Sequence, residues 1–170
     1  MIVLGIDPGT ASTGYGVVAS DPARPGRLLA LDGGVIETSA GAALERRLTT
    51  IHARALALLD EHAPDAVAIE DLYFGANARS AMAVGQARGV VLLAAGERGL
   101  PCGSYTPQQV KSAVCGSGRA EKAQVQQMVQ RLLSLPGPPT PDHAADALAV
   151  AICHLNRAPL AAATAAGARA

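Results

Sequence analysis

The chain has 170 residues, 49% of them apolar, and a formal net charge of zero. This length and composition predict one domain with a sizeable core, and no apolar run is long and uncharged enough to predict a membrane span. The first residues lack the basic segment of a signal peptide, and three scattered cysteines favour buried thiols in a reducing compartment. We therefore expect a cytoplasmic protein without disulfides or a zinc site.

The charges are unevenly distributed along the chain. Between residues 79 and 122 there are six cations and two acids. Such a local excess is compatible with phosphate binding, although a solvated surface is the more common explanation. The absence of Trp and the small number of aromatic residues disfavour extended base stacking along a single strand.

The first half of the chain predicts three hairpin-linked strands, a helix and a fourth strand. The first strand is a continuous apolar run that ends at the turn formed by Asp7-Pro8-Gly9-Thr10, and the fourth ends at Glu70. The predicted ranges are strands over 2–6, 14–19, 28–38 and 66–69, and a helix over 42–62.

The second half predicts a loop over 72–76, four helices and one short strand. Asn77 is the expected N-cap of the first of these helices, and Thr140 with Pro141 is expected to begin the last. Three of the predicted helices cover 78–98, 107–114 and 120–133, and the fourth begins at Pro141. The predicted strand covers 102–105. We expect a domain over 1–157 and an alanine-rich, disordered tail over 158–170.

This order of elements predicts an α/β fold with a mixed sheet and helices on both faces. The fourth strand is expected to lie beside the first and parallel to it. Asp7 and Glu70, which end these two strands, would then lie side by side at the edge where open α/β sheets bind ligands.

Four side chains are candidate metal ligands. Asp7 and Glu70 end the two strands, and His143 and Asp146, spaced i, i+3, share one face of the last helix. Together they could enclose two divalent cations, and hard oxygen ligands suit Mg²⁺ or Mn²⁺. Two such ions would assist the hydrolysis of a phosphodiester bond.

Each of these residues also has a simpler explanation. Asp7 could shape the turn before Pro8 and Gly9, Glu70 could pair with an arginine, and His143 could be a partly buried histidine with no ligand role. The neighbouring Asp142 is expected to interact with the helix dipole, with metal binding as the weaker alternative. The combined pattern favours a metal site, whereas no single residue does.

Several segments resemble the RuvC family of Holliday-junction resolvases, and the match is colinear over about residues 1–156. The segments are Gly5-Ile6-Asp7-Pro8-Gly9-Thr10, Gly14-Tyr15-Gly16, Ala68-Ile69-Glu70, Gly85-Gln86-Ala87-Arg88-Gly89, Gln109-Val110-Lys111, Ala120-Glu121-Lys122 and Ala144-Ala145-Asp146-Ala147-Leu148-Ala149.

The resemblance implies a ribonuclease-H-like fold, with a five-stranded sheet in the order 3-2-1-4-5. It also implies a homodimer that nicks two strands of a four-way DNA junction symmetrically, in recombination and repair, and leaves 5′-phosphate and 3′-hydroxyl ends. The implied metal ligands are Asp7, Glu70, His143 and Asp146. A branch-migration helicase complex is the implied partner.

Many members of the family have Asp where this chain has His143. Imidazole is a neutral and softer ligand, so we hypothesise that the site prefers Mn²⁺ over Mg²⁺.

The resemblance also implies residues that contact DNA. Tyr73 matches the aromatic residue that reaches into the junction, and Phe74 is the alternative, unless its ring anchors the loop on the core. Stacking of such a ring on an unpaired base is worth roughly 1–3 kcal/mol. The full set is Tyr73, Phe74, Lys111 and Lys122, with Arg79 and Arg119 as weaker candidates.

Three other classes of protein are alternatives. An actin-like ATPase or sugar kinase has a similar Asp-x-Gly-Thr loop but needs two such domains, for which the chain is too short. A related ribonuclease-H-like nuclease acting on RNA precursors would share Asp7 and Glu70. A catalytically silent module that binds junctions is the third alternative, and His143 is the residue that keeps it open.

Overall fold

The computed structural model describes residues 1–71 and 78–167, with side chains over 1–71 and 81–157. The predicted loop over 72–76, the predicted N-cap Asn77 and the side chains of the predicted tail lie outside this description. The elements are β1 (Ile2–Asp7), β2 (Ser12–Ser20), β3 (Leu28–Glu37), α1 (Leu44–His62), β4 (Ala66–Glu70), α2 (Ala78–Glu97), β5 (Cys102–Tyr105), α3 (Pro107–Cys115), α4 (Lys122–Leu132) and α5 (Asp142–Gly167).

The five strands form one sheet in the order β3-β2-β1-β4-β5, as predicted. β1 and β2 pair antiparallel, as do β2 and β3, whereas β4 pairs parallel to both β1 and β5. The register between β1 and β4 pairs Ile6 with Ile69. The next residues, Asp7 and Glu70, therefore end neighbouring parallel strands at the same edge, as predicted.

The sheet has a buried core on each face, because successive side chains of a strand point to opposite faces. Val3 of β1 belongs to a cluster with α3, α4 and α5. Leu4 and Ile6 belong to a second cluster with α1 and α2. The molecule is thus a three-layer α/β domain with helices on both faces of the sheet. In the described part of the chain, no helix is both long and apolar enough to cross a membrane.

The beginning of α5 differs from the prediction by one residue. The sequence predicts Thr140 as the N-cap and Pro141 as the first helical residue, but α5 begins at Asp142. The carbonyl oxygen of Pro141 accepts hydrogen bonds from the amides of Ala144 and Ala145, so Pro141 precedes the helix. Asp142 consequently opens the first turn. The helical backbone continues to Gly167, past the predicted domain boundary at residue 157; the disorder of the tail stays a prediction.

Small residues let α5 lie directly on the sheet. A Cβ atom at Gly5 would overlap the carbonyl oxygen of Ala147, and one at Gly14 would overlap the carbonyl oxygen of His143. The facing side of α5 is rich in buried alanines, including Ala144. Close contact between β1, β2 and the first turns of α5 follows from these residues, and it brings the helix to the strand ends that carry acidic side chains.

Candidate active site

Asp7 and His143 form the most direct contact of the predicted site. Nδ1 of His143 lies 2.6 Å from Oδ2 of Asp7, although the two residues are 136 positions apart in the chain. The Asp7 side chain is 14% exposed, whereas the His143 ring is 50% exposed. A neutral His143 that donates its Nδ1 proton to Asp7 presents the lone pair of Nε2 on the open side of the ring.

Asp7 does not hold the turn that follows it. That turn is closed by Thr13, whose buried hydroxyl donates to the carbonyl oxygen of Gly9 at 2.6 Å. The Asp7 carboxylate is directed instead toward the His143 ring. The structure therefore supports the site interpretation of Asp7 over a role in shaping the turn.

Glu70 carries the most perturbed carboxyl group of the site. Its pKa is raised to about 8, chiefly because the side chain is removed from water, and then because the charges of Asp7 and Asp146 lie nearby. The charge of Lys111 acts in the opposite direction. Burial also raises the pKa of Asp146, against the attraction of Lys122. Three carboxyl groups therefore share a partly dehydrated space with too little positive charge to balance them.

Lys122 borders this cluster from the first turn of α4. Its Nζ lies 2.9 Å from Oδ2 of Asp142 and 3.6 Å from Oδ2 of Asp146. Gln126 Nε2 donates to the other oxygen of Asp142 at 2.9 Å, and these two partners lower the pKa of Asp142. Asp142 thus ties α5 to α4, which favours a structural role over metal binding.

Lys111 and Lys122 both line a cleft that is also lined by Glu70 and Asp146. This cleft has a volume of about 220 Å³, and apolar side chains such as Val110 and Val125 form its floor. Two lysines in the lining of an acidic cleft can attract a phosphate group to carboxylates that would otherwise repel it.

The donor set fits divalent cations. Carboxylate oxygens of Asp7, Glu70 and Asp146, and Nε2 of His143, are ligand types found for Mg²⁺ and Mn²⁺. Burial, and then the charges of Asp7 and Asp146, raise the pKa of Glu70, and a bound cation would favour its ionised form. Among the described residues, no three His, Cys, Asp or Glu side chains already stand in the arrangement that would hold one ion. Asp7 and His143 contact each other, and Lys122 neighbours Asp146.

Comparison with known proteins places this chain in a family. The family model of the crossover junction endodeoxyribonuclease RuvC matches residues 3–154. RuvC of Moorella thermoacetica is 54% identical over 159 residues, which cover 94% of this chain and 93% of that protein. The chain belongs to the RuvC family.

Two solved structures of RuvC from Thermus thermophilus have the same fold. One of them superposes with a TM-score of 0.88 at 42% identity, and the match covers 95% of this chain and 97% of that protein. The form in complex with a Holliday junction substrate gives a TM-score of 0.90 at 42% identity, with coverage of 95% and 96%. The predicted ribonuclease-H-like fold is therefore confirmed.

The structure describes only some of the residues that the RuvC resemblance predicts to contact DNA. Lys111 and Lys122 lie at the cleft, as described above. Arg119 lies outside the cleft, beside a separate groove. Tyr73 and Phe74 lie outside the described residues, as does the side chain of Arg79, whose backbone is in α2.

One residue near the RuvC-like site was missed by sequence reasoning. Nη2 of Arg88 donates to Oγ of Ser104 at 2.6 Å and lies 3.5 Å from Oδ1 of Asp71. The arginine thereby joins α2 and β5 to the residue that follows Glu70. The possibility that Glu70 itself pairs with an arginine is not realised among the described side chains. In the sequence Arg88 stands out only as part of a family segment, because its contacts with Asp71 and Ser104 depend on the tertiary fold.

Proposed function

We propose that this protein is an endonuclease that resolves four-way (Holliday) DNA junctions in recombination and repair. The observation that carries the proposal is the cluster of Asp7, Glu70 and Asp146 on a fold shared with a RuvC bound to a Holliday junction substrate. Membership of a family of crossover junction endodeoxyribonucleases supports the same reaction.

Asp7, Glu70, His143 and Asp146 would hold two divalent cations, which supply the positive charge for activating a water molecule and stabilising the leaving oxygen. The chain contributes the positions of these ligands. β1 and β4 fix the two strand carboxylates, and α5 brings the imidazole and the third carboxylate to them. Cleavage between the phosphorus and the 3′ oxygen would leave 5′-phosphate and 3′-hydroxyl ends.

The two lysines of the cleft would act on the DNA backbone. Lys122 is half exposed and Lys111 is partly buried, and both line the cleft with Glu70. Their ammonium groups can neutralise phosphates beside the scissile bond, which reduces the repulsion between DNA and the acidic cluster. Tyr73, or else Phe74, is proposed to stack on an unpaired base at the junction centre.

Mn²⁺ is proposed as the preferred metal. His143 supplies a neutral nitrogen where many RuvC proteins have a carboxylate, and softer first-row ions bind imidazole better than Mg²⁺ does. The contact between His143 Nδ1 and Asp7 supports a fixed ring orientation, with Nε2 as the remaining ligand atom.

The protein is proposed to act as a homodimer through an exposed face of α2. Met82 is 69% exposed and Leu93 is 56% exposed, and the two are eleven residues apart, which puts them on one helix face. Gly89 and Gly96 lie on the same face with open space around them. Such a face allows close approach of a second helix. A branch-migration helicase complex is proposed as the partner in the cytoplasm, on the family resemblance alone.

The alternatives predict different substrates. A nuclease for RNA precursors would cut RNA, and a silent module would bind junctions without cutting. The experiment compares a synthetic four-way junction, a linear DNA duplex and an RNA duplex of the same sequence, each with Mg²⁺ or Mn²⁺. We expect paired nicks in the junction alone, which DNA ligase can reseal. Cleavage of the RNA, or binding of the junction without nicks in either metal, would contradict the proposal.

A further inference from the structure

A second groove borders α4 along residues other than those that line the catalytic cleft. It has a volume of about 360 Å³, and its polar lining consists of Ser117, Arg119, Gln124, Gln127 and Arg131. We name it the outer groove of α4. We propose that this groove binds the phosphate backbone of a duplex arm of the junction, an inference that rests on the proposed function.

One helix borders both the catalytic cleft and the outer groove. Lys122 and Val125 of α4 line the cleft, whereas Gln124 and Arg131 line the groove. The loop before α4 contributes Arg119 to the groove. DNA whose scissile phosphate is held in the cleft would reach the outer groove if an arm of the junction crosses α4.

The charges of the groove favour a polyanion. Arg119 and Arg131 are both exposed, and within the described residues neither has a carboxylate within 4.0 Å. No acidic side chain from the described part of the chain lines the groove. The two guanidinium groups are thus available to an external phosphate, which a planar guanidinium can contact through two hydrogen bonds.

The neutral side chains of the groove are also suited to DNA. The amide groups of Gln124 and Gln127 and the hydroxyl of Ser117 can donate to phosphate oxygens without regard to sequence. Gln124, Gln127 and Arg131 are spaced i, i+3 and i+7, so they form one row along α4. That row is about 10 Å long, because a helix rises about 1.5 Å per residue. Along the duplex axis, where the phosphates of one strand are about 3.4 Å apart, a row of this length spans about three phosphate-to-phosphate steps.

The experiment measures the salt dependence of junction binding in EDTA, so that no cleavage occurs. The variants are Arg131→Gln, the double variant Arg119→Gln/Arg131→Gln, and Arg24→Gln as a matched control. Arg24 lies in the turn after β2, at the opposite end of the sheet from Asp7. Each variant removes the same charge per site, and thermal unfolding checks that each is folded.

We expect Arg131→Gln to weaken binding several-fold near 0.15 M salt. The slope of log affinity against log salt should be shallower by about one for this variant and by about two for the double variant. The reason is that each phosphate contact that is lost reduces the number of counterions released on binding by about one. Arg24→Gln should match the wild type. The defect should also disappear with junctions whose arms are too short to reach the groove.

An Arg131→Gln variant with the affinity and salt slope of Arg24→Gln would overturn the inference. It would also be overturned if the groove bound inorganic phosphate while Arg131→Gln left junction affinity unchanged. Failure of the proposed function is a separate result, in which the wild-type protein does not nick the junction after Mg²⁺ or Mn²⁺ is added, whether or not it binds the junction.

Discussion

At the scale of single residues, the site is defined by carboxyl groups whose ionised forms are disfavoured in the metal-free protein. Glu70 has a pKa raised to about 8 by burial and by the charges of Asp7 and Asp146. Its ordinary pKa is 4.5. The folded protein thus binds this proton more tightly than the unfolded chain does. The free energy of unfolding is therefore lower at a pH where Glu70 is ionised in both the folded and the unfolded protein, as expected of a site that holds cations.

Glu70→Gln is predicted to stabilise the metal-free protein while it abolishes cleavage. The free energy of unfolding of the wild type should fall as pH rises from about 4.5 to about 8, because only the folded state keeps the Glu70 proton in that window. At pH 8 the variant should be more stable by about 1 to 3 kcal/mol. Chemical denaturation in EDTA at pH 5 and pH 8 measures this. Glu61→Gln, at an exposed position of α1, is the control.

Equal stability of Glu70→Gln and wild type at pH 8 would show that Glu70 is not destabilised in the folded protein.

His143→Asp is predicted to shift metal use toward Mg²⁺. The substitution restores a hard, charged ligand, so the ratio of single-turnover rates in Mn²⁺ and Mg²⁺ should fall on the order of tenfold. Both rates are measured at saturating metal on a four-way junction. Equal rates of the wild type in the two metals would contradict the hypothesis, and so would an unchanged ratio in the variant.

The contacts among the site residues divide into those that sequence predicts and those that it does not. Asp7 and Glu70 follow apolar strand runs, so their shared edge can be predicted from strand order alone. The His143–Asp7 contact and the pairing of Lys122 with Asp142 join distant segments. They depend on how closely α5 and α4 pack on the sheet, which no local pattern of residues specifies.

At the scale of elements, α5 is the helix that completes the site. Its first turns carry His143 and Asp146, and Gly5 and Gly14 allow these turns to lie against β1 and β2. The strands are predictable because their apolar runs end at clear turns. The predicted start of α5 is wrong by one residue. Thr140 has a side chain typical of an N-cap, but the carbonyl oxygen of Pro141 accepts the first hydrogen bonds of the helix, so Pro141 is the residue that precedes it. Backbone geometry at a Thr-Pro pair decides between the two.

Gly14→Ala is predicted to impair folding and activity together. The added Cβ would overlap backbone atoms of His143, so α5 must move. We expect a loss of stability of roughly 1 to 3 kcal/mol, by analogy with overpacked cores, and a large loss of cleavage. Gly137→Ala is the matched control, since a Cβ atom added there would meet open space. Denaturation curves and junction cleavage test the pair, and a fully stable, active Gly14→Ala would show that the close approach is unnecessary.

At the scale of the whole molecule, the proposal of a dimer explains an apolar surface that the single chain leaves exposed. Leu93 and Met82 lie on α2, the helix that follows the segment after Glu70. A dimer formed through this face would carry two catalytic sites related by symmetry, as paired nicking of a junction requires.

Leu93→Glu is predicted to dissociate the dimer. A charge placed in an apolar interface should weaken association by at least about a hundredfold, which corresponds to about 2.7 kcal/mol. Sedimentation velocity over a range of concentrations measures this. Leu31→Glu, at an exposed position of β3, should leave the dimer intact. A monomeric wild type, or a dimeric Leu93→Glu, would contradict the assignment of this face.

Cleavage of a labelled four-way junction tests whether Asp7 belongs to a metal site that cuts branched DNA. The wild type and Asp7→Asn are compared on the junction and on linear duplex, with Mg²⁺ or Mn²⁺. We predict paired symmetric nicks in the junction only, and a rate lower by about two to three orders of magnitude in Asp7→Asn, with junction binding retained. Equal cleavage by Asp7→Asn, or no cleavage by the wild type in either metal, would contradict this role of Asp7.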